Sequence, residues 1–329
     1  MLKSKWVVSM VVPGLSALLA GAAAGQTTSA GSGQAYPNKP IRLVTSTPGG
    51  GADFVARIAA QGLSTQLAQQ VIVDNRGSGI IIGEIVAKAP ADGHTVLVAG
   101  PTLWLAPFLY ERLSWDPVRD FSPVTLAVSS PNILVVHPSV AANSVRELIA
   151  LAKARPGALN YATGGAGSTP HLAAELFKAM AGVDLTRINY KGSGMAINDL
   201  IGGQVQVMFV VGSAGMPHVK SGRLRALAVT AAQPTRLFAG MPTVAESGLP
   251  GYQSVNNVGI FVPARTPAAI IARLNEESVR VFNSTEVKDR VLNSGSEVAA
   301  GTPAQFAAAL KAEMAAMGKV IRNAGIRAE

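Results

Sequence analysis

Two ionisable side chains stand at the ends of glycine-rich runs, and they are the residues of this chain best placed to do chemistry. Asp53 closes Thr45-Ser46-Thr47-Pro48-Gly49-Gly50-Gly51-Ala52-Asp53, and His171 closes Thr163-Gly164-Gly165-Ala166-Gly167-Ser168-Thr169-Pro170-His171. A carboxylate at a helix start is stabilised by the helix dipole by ~0.3–1 kcal/mol, or else accepts a hydrogen bond from a ligand's hydroxyl or amino group. The imidazole of His171 either bonds within its own turn or touches a ligand. Glycine lets backbone come close to a guest. Unpaired N–H groups of a following helix then point at that guest and favour an anion. The first run, taken alone, reads equally well as a tight connection with no guest.

Other chemistries lack their residues. There is no Gly-x-x-x-x-Gly-Lys-Ser/Thr, and Gly49-Gly50-Gly51 lacks the Gly-x-Gly-x-x-Gly register of a dinucleotide site. Gly167-Ser168-Thr169-Pro170 fails the nucleophile-elbow pattern at its last place. His94, His137, His171 and His218 lie far apart without metal-ligand spacing. No catalytic set, metal or cofactor is expected. Tyr190-Lys191-Gly192 is a strand end and turn that brings Lys191 either to solvent or to a cleft. Asp199 reads as a helix end or turn cap.

The elements around these runs explain their position. Ile41-Arg42-Leu43-Val44 is short, apolar and β-branched, hence a strand, and Phe54 to Leu63 carries apolar residues at helical spacing. Leu159 to Ala162 and Leu172 to Ala181 repeat the pattern around the second run. Two strand–glycine turn–helix units, one per presumed lobe, would place two helix N-termini on one cleft, and this pairing favours the ligand reading of both. Ligands of α/β sheets sit at such strand C-ends. Further strands are expected at Val71 to Asp74, Thr95 to Ala99, Leu185 to Tyr190, Val205 to Val211, Leu224 to Thr230 and Gly259 to Val262. Two runs, Thr125 to Val128 and Ile133 to Val136, are separated by Ser129 to Asn132, a crossing between lobes, and Gly251 to Asn257 reads as the return. Helices are expected at Ile80 to Ala89, Val145 to Ala154 capped by Ser144, Met195 to Ile201, Ala214 to Lys220, Thr243 to Ser247, Pro267 to Phe282 capped by Thr266, Thr285 to Asn293, and Pro303 to Asn323 capped by Thr302.

At 329 residues the chain exceeds what one compact core usually takes. The expectation is an α/β protein with lobe 1 at 36–128 plus 257–329 and lobe 2 at 129–256. Residues 1–35 stand apart: Lys3 and Lys5 precede an apolar run, broken by Pro13-Gly14, then small residues and a Ser/Gly-rich tether. That is the pattern of a secretory signal peptide, so export to the periplasm is expected. With no cysteine, disulfides and a lipid anchor are excluded. Net charge is +9, of which the two leader lysines supply 2. The remaining basic residues are scattered and lack interleaved aromatics, so no nucleic acid partner is expected.

In this order and spacing, several short motifs make the chain resemble a known family, the Bug or TctC solute-binding proteins of tripartite tricarboxylate transporters. They are Tyr36-Pro37-x-x-Pro40-Ile41-Arg42, Pro48 to Asp53, Ala89-Pro90-Ala91-Asp92-Gly93, Gly164 to Ser168 with His171-Leu172, Tyr190-Lys191-Gly192, Asp199-Leu200-x-Gly202-Gly203, Pro242 to Gly248 and Pro263-x-x-Thr266-Pro267. The resemblance spans Tyr36 to Glu329. It implies a two-lobed periplasmic binding protein, type II-like, with a ligand cleft between the lobes. It implies a small organic acid as ligand and membrane transporter subunits as partners. Carried over by position, the ligand-binding residues are Thr47, Pro48, Gly49, Gly50, Gly51, Ala52 and Asp53, then Thr163, Gly164, Gly165, Ala166, Gly167, Ser168, Thr169 and His171, with Tyr190, Lys191 and Asp199. The chain departs from the family at Asn75 to Gly83, which is shorter than usual. It also has Val210-Val211 where relatives carry an acidic or amide residue, and Asn256-Asn257 where they often carry tryptophan. Two rival functions share the same residues: ligand binding for a sensor protein, and an exported α/β enzyme using His171 or Asp53 as base.

Overall fold

A computed structural model describes residues 36–327, apart from 78, 165, 166 and 191. The leader and tether expected at 1–35 lie outside the described residues, as do Gly165, Ala166 and Lys191. Strand and helix alternate first as β1 (Ile41–Thr45), α1 (Gly51–Gln66), β2 (Val71–Asn75), α2 (Gly79–Ala87) and β3 (Thr95–Ala99). Two single-turn helices, α3 (Pro101–Trp104) and α4 (Ala106–Leu109), lead to the long strand β4 (Phe121–Val136). Then come α5 (Val145–Ala154), β5 (Asn160–Thr163), α6 (Thr169–Ala181), β6 (Thr186–Asn189), α7 (Ser193–Ile201), β7 (Val207–Val211), α8 (Gly212–Lys220) and β8 (Arg225–Val229). β9 (Val255–Pro263), α9 (Ala268–Asn283), α10 (Thr285–Asn293), β10 (Glu297–Val298) and α11 (Pro303–Asn323) complete the described chain.

The strands order as β2-β1-β3-β9-β4-β7-β5-β6, with β8 and β10 also pairing to β4. β1 runs parallel to β2 and β3, and β5 parallel to β6 and β7, so the C-ends of β1 and β5 each feed a helix. β4 and β9 are antiparallel to each other from Phe121↔Pro263 to Pro131↔Val255. From Asn132 onward β4 changes partners, to β7 and β8. Proline cannot donate to a ladder, and the change falls one residue after Pro131. The two separate runs expected at 125–128 and 133–136 are therefore one strand. Ser129, Ser130 and Pro131 are turn formers by propensity, yet pairing with Asn257, Asn256 and Val255 overrides it.

Side-chain caps fix the starts of α5, α6, α10 and α11. Ser144 caps α5 by accepting from the Glu147 N–H, while the Glu147 carboxylate accepts from Asn143 N–H at 2.7 Å. Thr302 and Gln305 form a reciprocal capping box on α11. Three expectations fail. Thr243 to Ser247 is a turn: Thr243 and Glu246 exchange the same two hydrogen bonds, but Gly248 at φ +127 takes the chain out of helix. Thr266 does not cap α9; its hydroxyl donates to Pro263 O at 2.7 Å, and extended Pro267 takes the cap position. β9 starts at Val255, inside the expected crossing.

Trp104, Phe121, Phe261 and Phe306 pack edge-on or tilted beside α11. Gly259 of β9 is required there: a Cβ would stand 2.1 Å from Phe306 Cζ. Phe177, Phe209 and Tyr252 form a second aromatic group behind α6. Among the described residues no helix is long and apolar enough to cross a membrane.

Candidate functional site

β1 ends at buried Thr45, whose hydroxyl donates to Val98 O at 3.0 Å and ties the strand to β3. The chain then turns through Gly49, at φ +84, where a side chain would be strained. Gly50 caps α1 with extended backbone and no side-chain bond. The N–H groups of Gly50, Gly51 and Ala52 therefore donate to no described residue, and Thr47 to Gly51 are exposed.

Asp53 faces the other way. It is only 4% exposed, and its Oδ2 accepts from Gly49 N–H at 2.9 Å and Arg57 Nε at 3.0 Å. Its Oδ1 accepts from Asn75 Nδ2 at 2.8 Å, and Asn75 donates also to Ser46 O at 2.7 Å. Burial works against the carboxylate, but the bonds from Arg57, Gly49 and Asn75 together outweigh it and hold its pKa below the ordinary value. Asp53 thus fastens the turn to α1 and β2.

The second turn repeats this device. Gly167, at φ +70, donates its N–H to His171 Nδ1 at 2.9 Å. In both turns a glycine in the left-handed region is held by the side chain four residues later. Ser168 caps α6 by accepting from His171 N–H at 3.4 Å. The His171 ring is fully buried, with Arg187 Nη1 3.0 Å from Nε2. Burial, then the Arg187 charge, lowers the imidazole to about 4. It is neutral at physiological pH, and its Nδ1 lone pair is taken. Thr163 is buried at the end of β5 and accepts from Tyr190 N–H at 2.9 Å. Gly164 has no room for a side chain, since a Cβ would lie 2.7 Å from Ser193 N at the start of α7. Tyr190 and Asp199 satisfy each other, hydroxyl to Oδ2 at 2.8 Å, and burial with the Asp199 charge raises the phenol to about 12.

One side chain joins the two turns, and it was absent from the expected site. Asn256 of β9 accepts from the Thr169 hydroxyl at 3.4 Å. Its Nδ2 lies 3.9 Å from where a Cβ on Gly51 would stand, and its Oδ1 3.9 Å from one on Gly100. The starts of α1 and α6 thus converge on Asn256. In the sequence it showed only as a departure from tryptophan. The Thr47 hydroxyl and the N–H groups of Gly50, Gly51 and Ala52 stand at the first turn, and Thr169 and Asn256 at the second, whereas Asp53 and His171 are spent on holding Gly49 and Gly167. Free N–H groups at a helix start are the chemistry that suits an anion, through their amide dipoles.

An α/β sheet with glycine turns at parallel strand ends, traversed by two long shared strands, is the architecture of a two-lobed solute-binding protein. The sequence profile described as "Tripartite tricarboxylate transporter family receptor" (TctC) matches residues 55–326, and the chain belongs to that family. A UPF0065 protein from the tcbD-tcbE intergenic region of Pseudomonas sp. (strain P51) is 38% identical over 311 residues, covering 92% of this chain and 93% of that one. Among solved structures, R. palustris Rpa4515 with adipate is 35% identical, with TM-score 0.72 over 89% of this chain and 99% of the other. MatC of Rhodopseudomonas palustris, with bound malate, is 28% identical, with TM-score 0.68 over 87% and 100%.

Proposed function

We propose that this chain is an exported solute-binding protein that captures a small carboxylate between its lobes and delivers it to a tripartite tricarboxylate-type membrane transporter. The observation that carries the reading is the convergence of two glycine turns on Asn256, each fastened by its own inward-facing side chain. The adipate and malate bound by two relatives support the same ligand class. Charge-assisted hydrogen bonds contribute roughly 1.5–3 kcal/mol each. Three or four of them, less the cost of closure, reach the ~8 kcal/mol of micromolar binding. In this reading the lobes are 36–128 plus 257–329 and 129–256, and β4 and β9 carry the hinge between them. Residues 1–35 direct export. No proton transfer is asked of His171 or Asp53: one is neutral with its acceptor nitrogen occupied, the other a buried, hydrogen-bonded carboxylate.

The test is mass spectrometry of whatever small molecule leaves the purified protein on denaturation, followed by calorimetry with di- and tricarboxylates and aromatic acids. A released or titrated acid is expected. No released anion, no heat and no thermal stabilisation with any acid would refute the reading. Co-purification from membranes, with and without ligand, separates a transporter from a sensor as partner.

A further inference from the structure

A cavity of about 360 Å3 lies between α6, α11 and the start of β9. Leu105, Leu172, Leu176 and Met317 wall it, and Ala309 and Ala312 of α11 leave it wide. It borders the second turn: Thr169, whose hydroxyl donates to Asn256, is part of its lining. Asn257, next along β9, lines it as well and donates to Glu313 Oε2 at 3.1 Å. Glu313 is the one ionisable side chain among the described lining residues.

We propose that this cavity receives the apolar body of the acid whose carboxylate the turns hold, so that the ligand class is a monocarboxylate bearing a ring-sized hydrocarbon group. The assignment rests on the reading of the turns as an anion site. Room is sufficient, since an apolar cavity of roughly 150 Å3 takes a benzene ring. Polarity excludes the alternative. A second carboxylate entering the cavity would meet Glu313, with no cation among the described lining residues to offset the desolvation of either acid. Burial already raises the Glu313 carboxyl to about 7, against the opposing pull of Asn257 and the Trp104 indole, so a further anion there is disfavoured.

Calorimetry at pH 7.5 with benzoate, 3-phenylpropanoate and adipate tests this, on the native chain and on two variants. The aromatic acids are expected to bind about tenfold or more tighter than adipate. Ala312→Leu, at an exposed helical alanine facing the cavity, should weaken the aromatic acids by about tenfold. Glu313→Gln should tighten adipate by about fivefold or more and so narrow its gap to the aromatic acids. If Ala312→Leu fails to fold, Ala309→Leu serves the same purpose. Adipate binding as tightly as the aromatic acids, or aromatic acids indifferent to the filled cavity, overturns the assignment and leaves the anion site standing. Silence from every acid refutes the anion site and this assignment with it.

Discussion

Acidification should loosen the second turn through one residue, His171. Its ring is fully buried and its Nδ1 accepts the Gly167 N–H at 2.9 Å, so a proton on that nitrogen would set donor against donor. Burial first, then Arg187, with Lys178 adding and Glu175 opposing, brings the imidazole from 6.5 down to about 4. Between those two values the unfolded chain takes up a proton that the folded chain refuses. Stability from this residue is therefore complete above the unfolded value and is lost as pH falls. At pH 5 the loss amounts to about 2 kcal/mol relative to pH 7. His171→Asn keeps an acceptor near the Nδ1 position and does not titrate. Urea denaturation of both proteins at pH 7 and pH 5, followed by circular dichroism, gives the comparison. The parent should lose about 2 kcal/mol more than the variant over that interval. Parallel losses would show that the ring titrates normally and is not the fastening of the turn.

Three further outcomes follow from named contacts. Asn256→Ala removes the side chain on which the two turns converge and should weaken acid binding about tenfold by calorimetry, with little change in thermal midpoint; unchanged affinity would show that the turns hold the acid without it. Gly259→Ala drives a methyl group to within 2.1 Å of Phe306 Cζ. It should cost about 1–3 kcal/mol in urea denaturation, and a neutral result would mean that α11 shifts freely on the sheet. Thr302→Ala breaks the capping box of α11 and should cost about 1 kcal/mol, leaving acid affinity as it was.

What the sequence made legible was whatever local chemistry decides. α10 and α11 run over the expected residues, and Ser144 and Thr302 cap as read, because a hydroxyl, a following acid or amide and a periodic apolar stripe suffice. Both glycine turns were legible for the same reason. Pairing between distant strands was not. Ser129 to Asn132 look like a break until β9 and β10 lie beside them, and β10 itself is only two residues long. Thr243 and Glu246 carry a good helix-start signature and make its bonds, yet the chain leaves at Gly248. Asn256 was illegible as a site residue because its role exists only once β9 carries it between two turns some 120 positions apart in sequence, Gly51 and Thr169.

The same contacts separate how this site binds from what it binds. Asp53 and His171 are the residues whose chemistry stands out in the sequence, and both point inward, each engaged by the glycine N–H four residues before it. That inward use is what leaves the outward backbone donors rigid and open: a loose turn would have to be ordered by the ligand, at the expense of affinity. Backbone amides, however, hold any carboxylate alike. Discrimination among acids must then come from the walls that the acid's other end meets. In the proposed reading those walls are Asn256, where the two turns join, and the alanine- and leucine-lined cavity with Glu313 beyond it. A relative with the same turns and a different residue in place of Asn256 or Glu313 should bind with similar strength and choose a different acid. Exchanging those two positions between such a pair, while keeping both turns, should move the preference with the walls; a preference that stayed with the turns would reverse this division of labour.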